Sequence, residues 1–194
     1  KKFAGIDVFD IEIDSEDPEE FVRIVKALEP TFGGINLEDI KAPESFHIER
    51  ELKQQMQIPV MHDDQHGTAI ITGAAMLNAL EVVQKKISEL KLVVVGAGTA
   101  AVACTNFYLS LGMRADNIIM VDKDGVLRKD QLAEDDYRYK FATDRDLHTM
   151  EDAFEGADMF LGLSVGNIVS AEMIQKMSDN PIVFALANPE PEID

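Results

Sequence analysis

Residues 92–101 read LVVVGAGTAA, an uninterrupted apolar run followed at once by a glycine-rich turn. An apolar run without alternation is expected of a strand that is buried on both faces of a parallel sheet. Gly96 would allow a tight turn, Gly98 would let the backbone approach a pyrophosphate, and the small Ala101 would permit close helix packing. Phosphates could then lie against the free N–H groups of the helix N-terminus. The stretch predicts a strand, a turn and a helix that bind a dinucleotide.

The residues that follow this turn support a dinucleotide, because a strand–helix turn of this kind can also bind nothing. Asp122 ends the next apolar run, where a carboxylate can accept hydrogen bonds from ribose hydroxyls. Two interpretations of the cofactor stay open. Asp122 suits a ribose diol and hence NAD, whereas Lys123 or Arg128 could meet a 2′-phosphate and hence NADP.

The rest of the C-terminal part repeats the same alternation. Helical patterns separate further apolar runs, which lie at residues 118–121, 159–163 and 182–186. Strands alternating with helices predict an α/β fold with a Rossmann-like, doubly wound parallel sheet. We expect this dinucleotide-binding domain to span residues 90–194.

Residues 1–67 predict part of a smaller α/β lobe. Asp17 and Pro18 are typical of a helix start, with an N-cap acceptor followed by proline at the first helical position. The alternation at residues 6–13 predicts a strand. A later helix and two short strands are predicted at residues 44–56, 33–37 and 58–61. The apolar segment at residues 68–89 should be a connecting helix.

Composition limits the partners and the compartment. The chain has 194 residues, a net charge of -18 and a single cysteine, Cys104. An acidic surface repels nucleic acid and anionic membranes, so we expect neither as a partner. An anionic ligand would need a metal ion, a helix N-terminus or basic residues to reverse the field locally. One cysteine excludes an internal disulfide and fits a reducing, cytoplasmic compartment.

Paired carboxylates follow two of the predicted strands of the smaller lobe. Glu38 and Asp39 come after one strand, and Asp63 and Asp64 after the other. Because α/β folds build sites at the carboxyl ends of strands, carboxylates from these two loops could share Mg²⁺ or Mn²⁺. Acidic pairs are also common as solvated loop residues. Asp63 or Asp64 could instead cap a helix that begins near Thr68.

Asn188 stands at another predicted strand end, immediately before Pro189. Its amide can both donate and accept hydrogen bonds, which suits a ligand site. An Asn–Pro pair is equally typical of a turn, and the spacing alone leaves both interpretations open.

Together these segments resemble malic enzymes of the bacterial type, over essentially the whole chain. Four motifs in the family's order are far more specific than any one of them. They are PTFGGINLEDI at residues 30–40, PVMHDDQHGTA at 59–69, the glycine turn at 96–101 and FALANP at 184–189.

The resemblance implies roles for the candidate residues. Those matching the family's metal ligands are Glu38, Asp39 and Asp64. Asp63 matches the carboxylate that orients a catalytic lysine, and Asn188 matches the residue that contacts substrate and nicotinamide ribose. From its position at the strand end, and independently of the resemblance, Asp122 would bind ribose hydroxyls. The pyrophosphate would lie on the turn formed by Gly96, Ala97, Gly98, Thr99 and Ala100.

The implied reaction is the oxidative decarboxylation of (S)-malate to pyruvate and CO₂ with reduction of NADP or NAD, dependent on Mg²⁺ or Mn²⁺. The resemblance also implies a homo-oligomer. The family's catalytic tyrosine and lysine match no residue here, and the lysine is expected just upstream of residue 1. We therefore interpret the chain as the central part of a longer enzyme, inactive alone. Two alternatives are a metal-independent dehydrogenase resembling amino-acid dehydrogenases and a non-catalytic nucleotide-binding or assembly module.

Overall fold

The computed structural model describes residues 4–194. In chain order, the helices and strands of this range are α1 (Pro18–Ala27), β1 (Ile35–Leu37), α2 (Glu44–Gln55), β2 (Val60–His62), α3 (Asp63–Val83), β3 (Leu92–Val95), α4 (Thr99–Ser110), β4 (Ile118–Asp122), β5 (Gly125–Val126), α5 (Met150–Phe154), β6 (Met159–Gly162), α6 (Ala171–Gln175) and β7 (Ile182–Ala185). The predicted apolar runs of the C-terminal part are the strands β3, β4, β6 and β7.

The larger sheet has the strand order β5-β4-β3-β6-β7. β3 pairs in parallel with both β4 and β6, and β6 pairs in parallel with β7. The short β5 adds an antiparallel edge to β4. Because the chain leaves β3 towards β4 and later returns to its other side at β6, the carboxyl end of β3 is the point where ligands bind in open α/β sheets. The glycine turn begins at that point.

Both faces of this sheet are covered, which explains why β3 lacks alternation. Leu92 and Val94 face the apolar cluster that contains α4, while Val93 and Val95 face the cluster that contains α5 and α6. Every residue of β3 is buried. The Rossmann-like, doubly wound sheet predicted from the sequence is confirmed.

The smaller lobe is built on a parallel pair of strands, β1 and β2, packed against α1 and α2. As predicted, α1 has Pro18 at its first position, and the Asp17 carboxylate accepts a hydrogen bond from the Glu19 amide at 3.0 Å. The strand predicted at residues 6–13 is wrong. That segment joins neither of the sheets among the described residues, and Val8 is 71% exposed.

The long helix α3 begins at Asp63, five residues before the predicted start at Thr68. Asp63 and Asp64 therefore lie in its first turn and do not cap a later helix. α3 packs closely on α4 where a Cβ on Gly73 would lie only 2.5 Å from the Phe107 ring. The domain boundaries proposed from the sequence stay a prediction.

The opposite face of α3 is apolar and exposed. The side chains on this face include Ile70, Ile71, Leu77 and Val82. By length and composition alone, α3 would be apolar enough to cross a membrane, but core helices of soluble proteins meet the same criterion. Its contact with α4 accounts for the apolar residues on its inner face.

Candidate active site

The glycine turn leaves open space above the N-terminus of α4. Gly96 has a φ of +117°, and a Cβ there would lie 2.4 Å from the Leu163 carbonyl oxygen, so this position requires glycine. Gly98, the N-cap of α4, is exposed, and a Cβ there would have no atom within 4 Å. Ala97 and Ala101 are buried beneath the turn. Thr99 and Ala100 form the first turn of α4 with their backbone N–H groups available to an anion.

Asp122 ends β4 beside the turn and is paired with Arg138. The Arg138 Nη1 donates to Asp122 Oδ2 at 2.7 Å, and its Nη2 donates to Asp136 Oδ2 at 2.7 Å. The bond to Asp136 is the main reason that the pKa of Arg138 lies above its usual range. Arg128, one of the candidates for a 2′-phosphate, is instead bonded to Asp130, and Lys123 is exposed.

The strand register brings the two carboxylate loops together. Leu37 lies opposite His62 in the parallel pair β1–β2, so the residues that follow each strand are neighbours. The Asp39 backbone N–H donates to Asp64 Oδ2 at 2.9 Å, and Asp39 adopts a left-handed φ of 58°. Glu38 is exposed on the same loop. The predicted metal residues therefore share one edge of the smaller lobe.

Across residues 4–194, no three His, Cys, Asp or Glu side chains converge closely enough to hold a metal ion as they stand. The assignment of Glu38, Asp39 and Asp64 as metal ligands stays a prediction. The donor set fits a hard divalent cation in two respects. All three side chains offer carboxylate oxygens, and the Asp39–Asp64 bond holds the two loops at contact distance.

Asp63 lies on the first turn of α3, folded over Gly67. A Cβ on Gly67 would lie 2.2 Å from Asp63 Oδ1, so this glycine makes room for the carboxylate. The predicted role of Asp63 in orienting a lysine stays a prediction.

Asn188 is exposed in the loop that follows β7. The parallel pairing of β6 with β7 places this loop at the same end of the sheet as the glycine turn. Its proposed contacts with substrate and nicotinamide ribose stay a prediction.

Known protein families share this arrangement. Residues 65–194 match the family described as "Malic enzyme, NAD binding domain", and residues 11–53 match "Malic enzyme, N-terminal domain". The chain belongs to the malic enzyme family. The resemblance seen in its sequence motifs is thus confirmed.

Relatives within the malic enzyme family are similar over the whole chain. The chain is 56% identical to the NADP-dependent malic enzyme of Escherichia coli K12, covering 100% of this chain and 26% of that protein. It is 53% identical to the NAD-dependent malic enzyme of Rhizobium meliloti 1021, covering 100% of this chain and 25% of that one. The NAD-dependent malic enzyme of Thermotoga maritima superposes with a TM-score of 0.93 at 47% identity, over 100% of this chain and 52% of that structure. The chain thus spans about a quarter to a half of these malic enzymes.

One residue that the sequence did not single out, Glu49, supports the carboxylate edge, which is the edge of the smaller lobe that carries Glu38, Asp39 and Asp64. Glu49 on α2 is 7% exposed; its Oε1 accepts the His62 backbone N–H at 3.2 Å and lies 2.8 Å from His66 Nε2. Burial acts most strongly and would raise the pKa of Glu49, but bonds from Lys53 and His66 together hold it below the usual value. Glu49 thereby fixes the junction of β2 and α3, from which Asp64 projects.

Arg138 was also missed. Arg138 lies in an irregular segment that passes beneath the glycine turn, where the Tyr137 hydroxyl donates to the Ala97 carbonyl at 3.2 Å. Only this path of the segment brings Arg138 to Asp122. A pattern of apolar residues carries no signal for such a return.

Proposed function

We propose that this chain is the central part of a malic enzyme that converts (S)-malate to pyruvate and CO₂ while reducing NADP or NAD, with Mg²⁺ or Mn²⁺. The observation that carries the proposal is the 2.9 Å hydrogen bond from the Asp39 backbone to Asp64, which joins the two carboxylate loops. A metal-independent dehydrogenase would have no use for this carboxylate edge. We also propose a cytoplasmic location, because the lone cysteine, Cys104, is buried and free. A homo-oligomer is proposed from the family resemblance alone.

Each group of residues has a separate task in this proposal. Glu38, Asp39 and Asp64 would hold the cation, and Asn188 would orient malate and the nicotinamide ribose. The N-terminus of α4 would bind the pyrophosphate through its free N–H groups. A bound divalent cation would supply Lewis acidity at the C2 oxygen of malate and favour the negative charge that develops as CO₂ leaves. NADP or NAD would accept the hydride.

The acidity of the chain makes the cation necessary for substrate binding. The net charge of -18 opposes the approach of a dianion such as malate. Asp39 and Asp64 add further negative charge at the proposed site. We therefore expect malate to bind only after a divalent cation has reversed the local field.

Titration of malate into the chain with and without Mn²⁺ tests this proposal, in the presence of NADPH or NADH. We expect a binding signal with Mn²⁺ and none without it. In Asp64→Asn, loss of a charged ligand should weaken Mn²⁺ binding by about tenfold or more, the size of one charge-assisted contact. Electron paramagnetic resonance of free Mn²⁺ measures this directly.

Asp179→Asn is the matched control, because Asp179 is exposed in the loop between α6 and β7, away from the carboxylate edge. It removes the same charge and should leave Mn²⁺ affinity unchanged. Equal losses in both variants would mean that Mn²⁺ binds the acidic surface non-specifically. Nucleotide binding without any metal-dependent malate signal would favour the module or the metal-independent dehydrogenase.

We propose that the Asp122–Arg138 pair governs the choice between NADP and NAD. Relatives of nearly equal identity are named for different cofactors, so overall similarity does not decide this. Arg138 places a guanidinium 2.7 Å from the carboxylate that would otherwise face the ribose. It would bind a 2′-phosphate by exchanging its bond to Asp122 for one to the phosphate, while its bond to Asp136 holds it in place.

Substitution Arg138→Gln should weaken NADPH binding by roughly tenfold and change NADH binding little, since only NADPH loses a charge-assisted contact. Fluorescence titration with both nucleotides measures the ratio. Arg128→Gln and Lys123→Gln serve as controls, since sequence alone made these the candidates. A larger loss of NADPH affinity in either control than in Arg138→Gln would contradict the proposal.

A further inference from the structure

Glu192 is a buried carboxylate for which the proposed reaction has no direct use. Its side chain is fully buried, with a relative exposure of 0%. Among residues 4–194 no cation pairs with it, and its oxygens accept hydrogen bonds from backbone N–H groups instead. Burying a carboxylate without a counter-ion is costly unless its oxygens are hydrogen-bonded, as both are here. The two N–H donors that it binds therefore indicate what Glu192 does in the fold.

The carboxylate joins the two loops at the carboxyl ends of β6 and β7. Glu192 Oε1 accepts the Ser164 N–H at 2.9 Å, and Oε2 accepts the Ala187 N–H at 3.1 Å. A carboxylate is suited to this task because both of its oxygens accept hydrogen bonds. Gly162 gives it room, since a Cβ there would lie 2.4 Å from the Glu192 carboxyl carbon.

Both loops held by Glu192 border the proposed ligand site. Ala187 directly precedes Asn188, the residue expected at substrate and nicotinamide ribose. Ser164 directly follows Leu163, whose carbonyl oxygen is the atom against which Gly96 of the cofactor turn is packed. A single carboxylate thus connects the Asn188 loop with the support of the glycine turn.

We infer that Glu192 is a positioning residue that holds Asn188 for the nicotinamide half of the bound cofactor. This inference rests on the proposed function and adds a residue to the same site. Backbone bonds from Asn167 to Pro191 and from Val169 to Glu192, both at 2.9 Å, attach the rest of the loop independently of the side chain. Replacement of the carboxylate should therefore misplace the Asn188 loop while the domain stays folded.

The test is Glu192→Gln, which keeps the shape of the side chain. Its amide oxygen can accept one N–H, but its NH₂ group must face the other donor. We expect the affinity for NADPH and NADH to fall about tenfold, as for the loss of one hydrogen bond to a charged group. The affinities for 2′,5′-ADP and ADP should change less than about twofold, because these fragments lack the nicotinamide half. The amides of Ser164 and Ala187 should also exchange hydrogen faster.

Glu190→Gln is the matched control, since Glu190 is exposed on the same loop. This variant should bind NADPH, NADH, 2′,5′-ADP and ADP with the affinities of the unmutated chain. If Glu192→Gln fails to fold, Glu192→Asp keeps the charge, shortens the reach and should show the same selective loss. An equal loss for fragments and dinucleotides would make Glu192 merely structural and overturn the inference. Unchanged dinucleotide affinity would overturn it too, while the proposed function stood. If the unmutated chain bound neither dinucleotide, both would fall.

Discussion

The 194-residue chain, purified and supplied with malate, Mn²⁺ and either cofactor, is expected to form no measurable NADPH or NADH. Decarboxylating oxidation of malate needs a base at the C2 hydroxyl and an acid at C3, and the resemblance places both groups upstream of residue 1. General acid–base groups contribute about 10²–10⁴-fold each, so the absence of both should lower turnover by roughly 10⁴-fold or more.

The comparison for this result is the same chain extended upstream to include the lysine and the tyrosine. A sensitive assay of NADPH and NADH formation on both proteins, with ligand binding measured in parallel, separates chemistry from binding. We expect the short chain to bind nucleotide but to form no detectable NADPH or NADH. Robust turnover by the short chain would show that its acid and base lie among the residues present, and the assignment of Asp63 as an orienting group would be lost.

Gly98→Val should abolish nucleotide binding and leave the fold intact. A side chain at this position would occupy the space that the pyrophosphate needs above α4, and several charge-assisted hydrogen bonds would be lost together. We expect the affinity for NADPH to fall roughly 100-fold or more. The fold should tolerate the change, because a Cβ on Gly98 has no atom within 4 Å. The chain has no tryptophan, so the nucleotide's own fluorescence reports binding.

The control for this variant is Gly33→Val, since Gly33 also has open space around its Cβ position but lies in the turn before β1, remote from the glycine turn. Both variants should melt at the temperature of the unmutated chain. If Gly98→Val bound NADPH with unchanged affinity, the phosphates would have to lie elsewhere.

Local patterns in the sequence were enough to predict the larger sheet. The inner strands β3 and β6 are buried on both faces and β4 is buried up to its last residue, so their apolar runs are visible without any knowledge of their neighbours. Gly96 and Gly98 mark the turn that the strand order requires. The start of α1 was equally local, since Asp17 and Pro18 act within one helical turn. The segment at residues 6–13 had the right alternation but no neighbouring strand, and alternation alone could not reveal that.

The site was only partly predictable, because several of its contacts depend on distant segments. Glu38, Asp39 and Asp64 could be nominated by type and by family, but only the register of β1 against β2 shows that the loops touch. Arg138 and Glu192 carried no such signal. Arg138 reaches Asp122 only because an irregular segment folds back beneath the glycine turn. Glu192 lies in a polar loop whose sequence predicts exposure to solvent, although its side chain is fully buried.

Gly73 lets α3 and α4 pack closely, because it has no side chain where Phe107 of α4 lies. α3 carries the proposed metal ligand Asp64 at its start, and the proposed pyrophosphate site lies at the start of α4. The separation of the two helices would therefore set the distance between metal and cofactor. The separation of α3 and α4 depends on the absence of a side chain at Gly73, because a Cβ there would lie only 2.5 Å from the Phe107 ring. Hydride transfer requires the reacting atoms to approach within about 3–3.5 Å. In the proposed enzyme, that distance would depend in part on Gly73, a buried residue that belongs to neither proposed site.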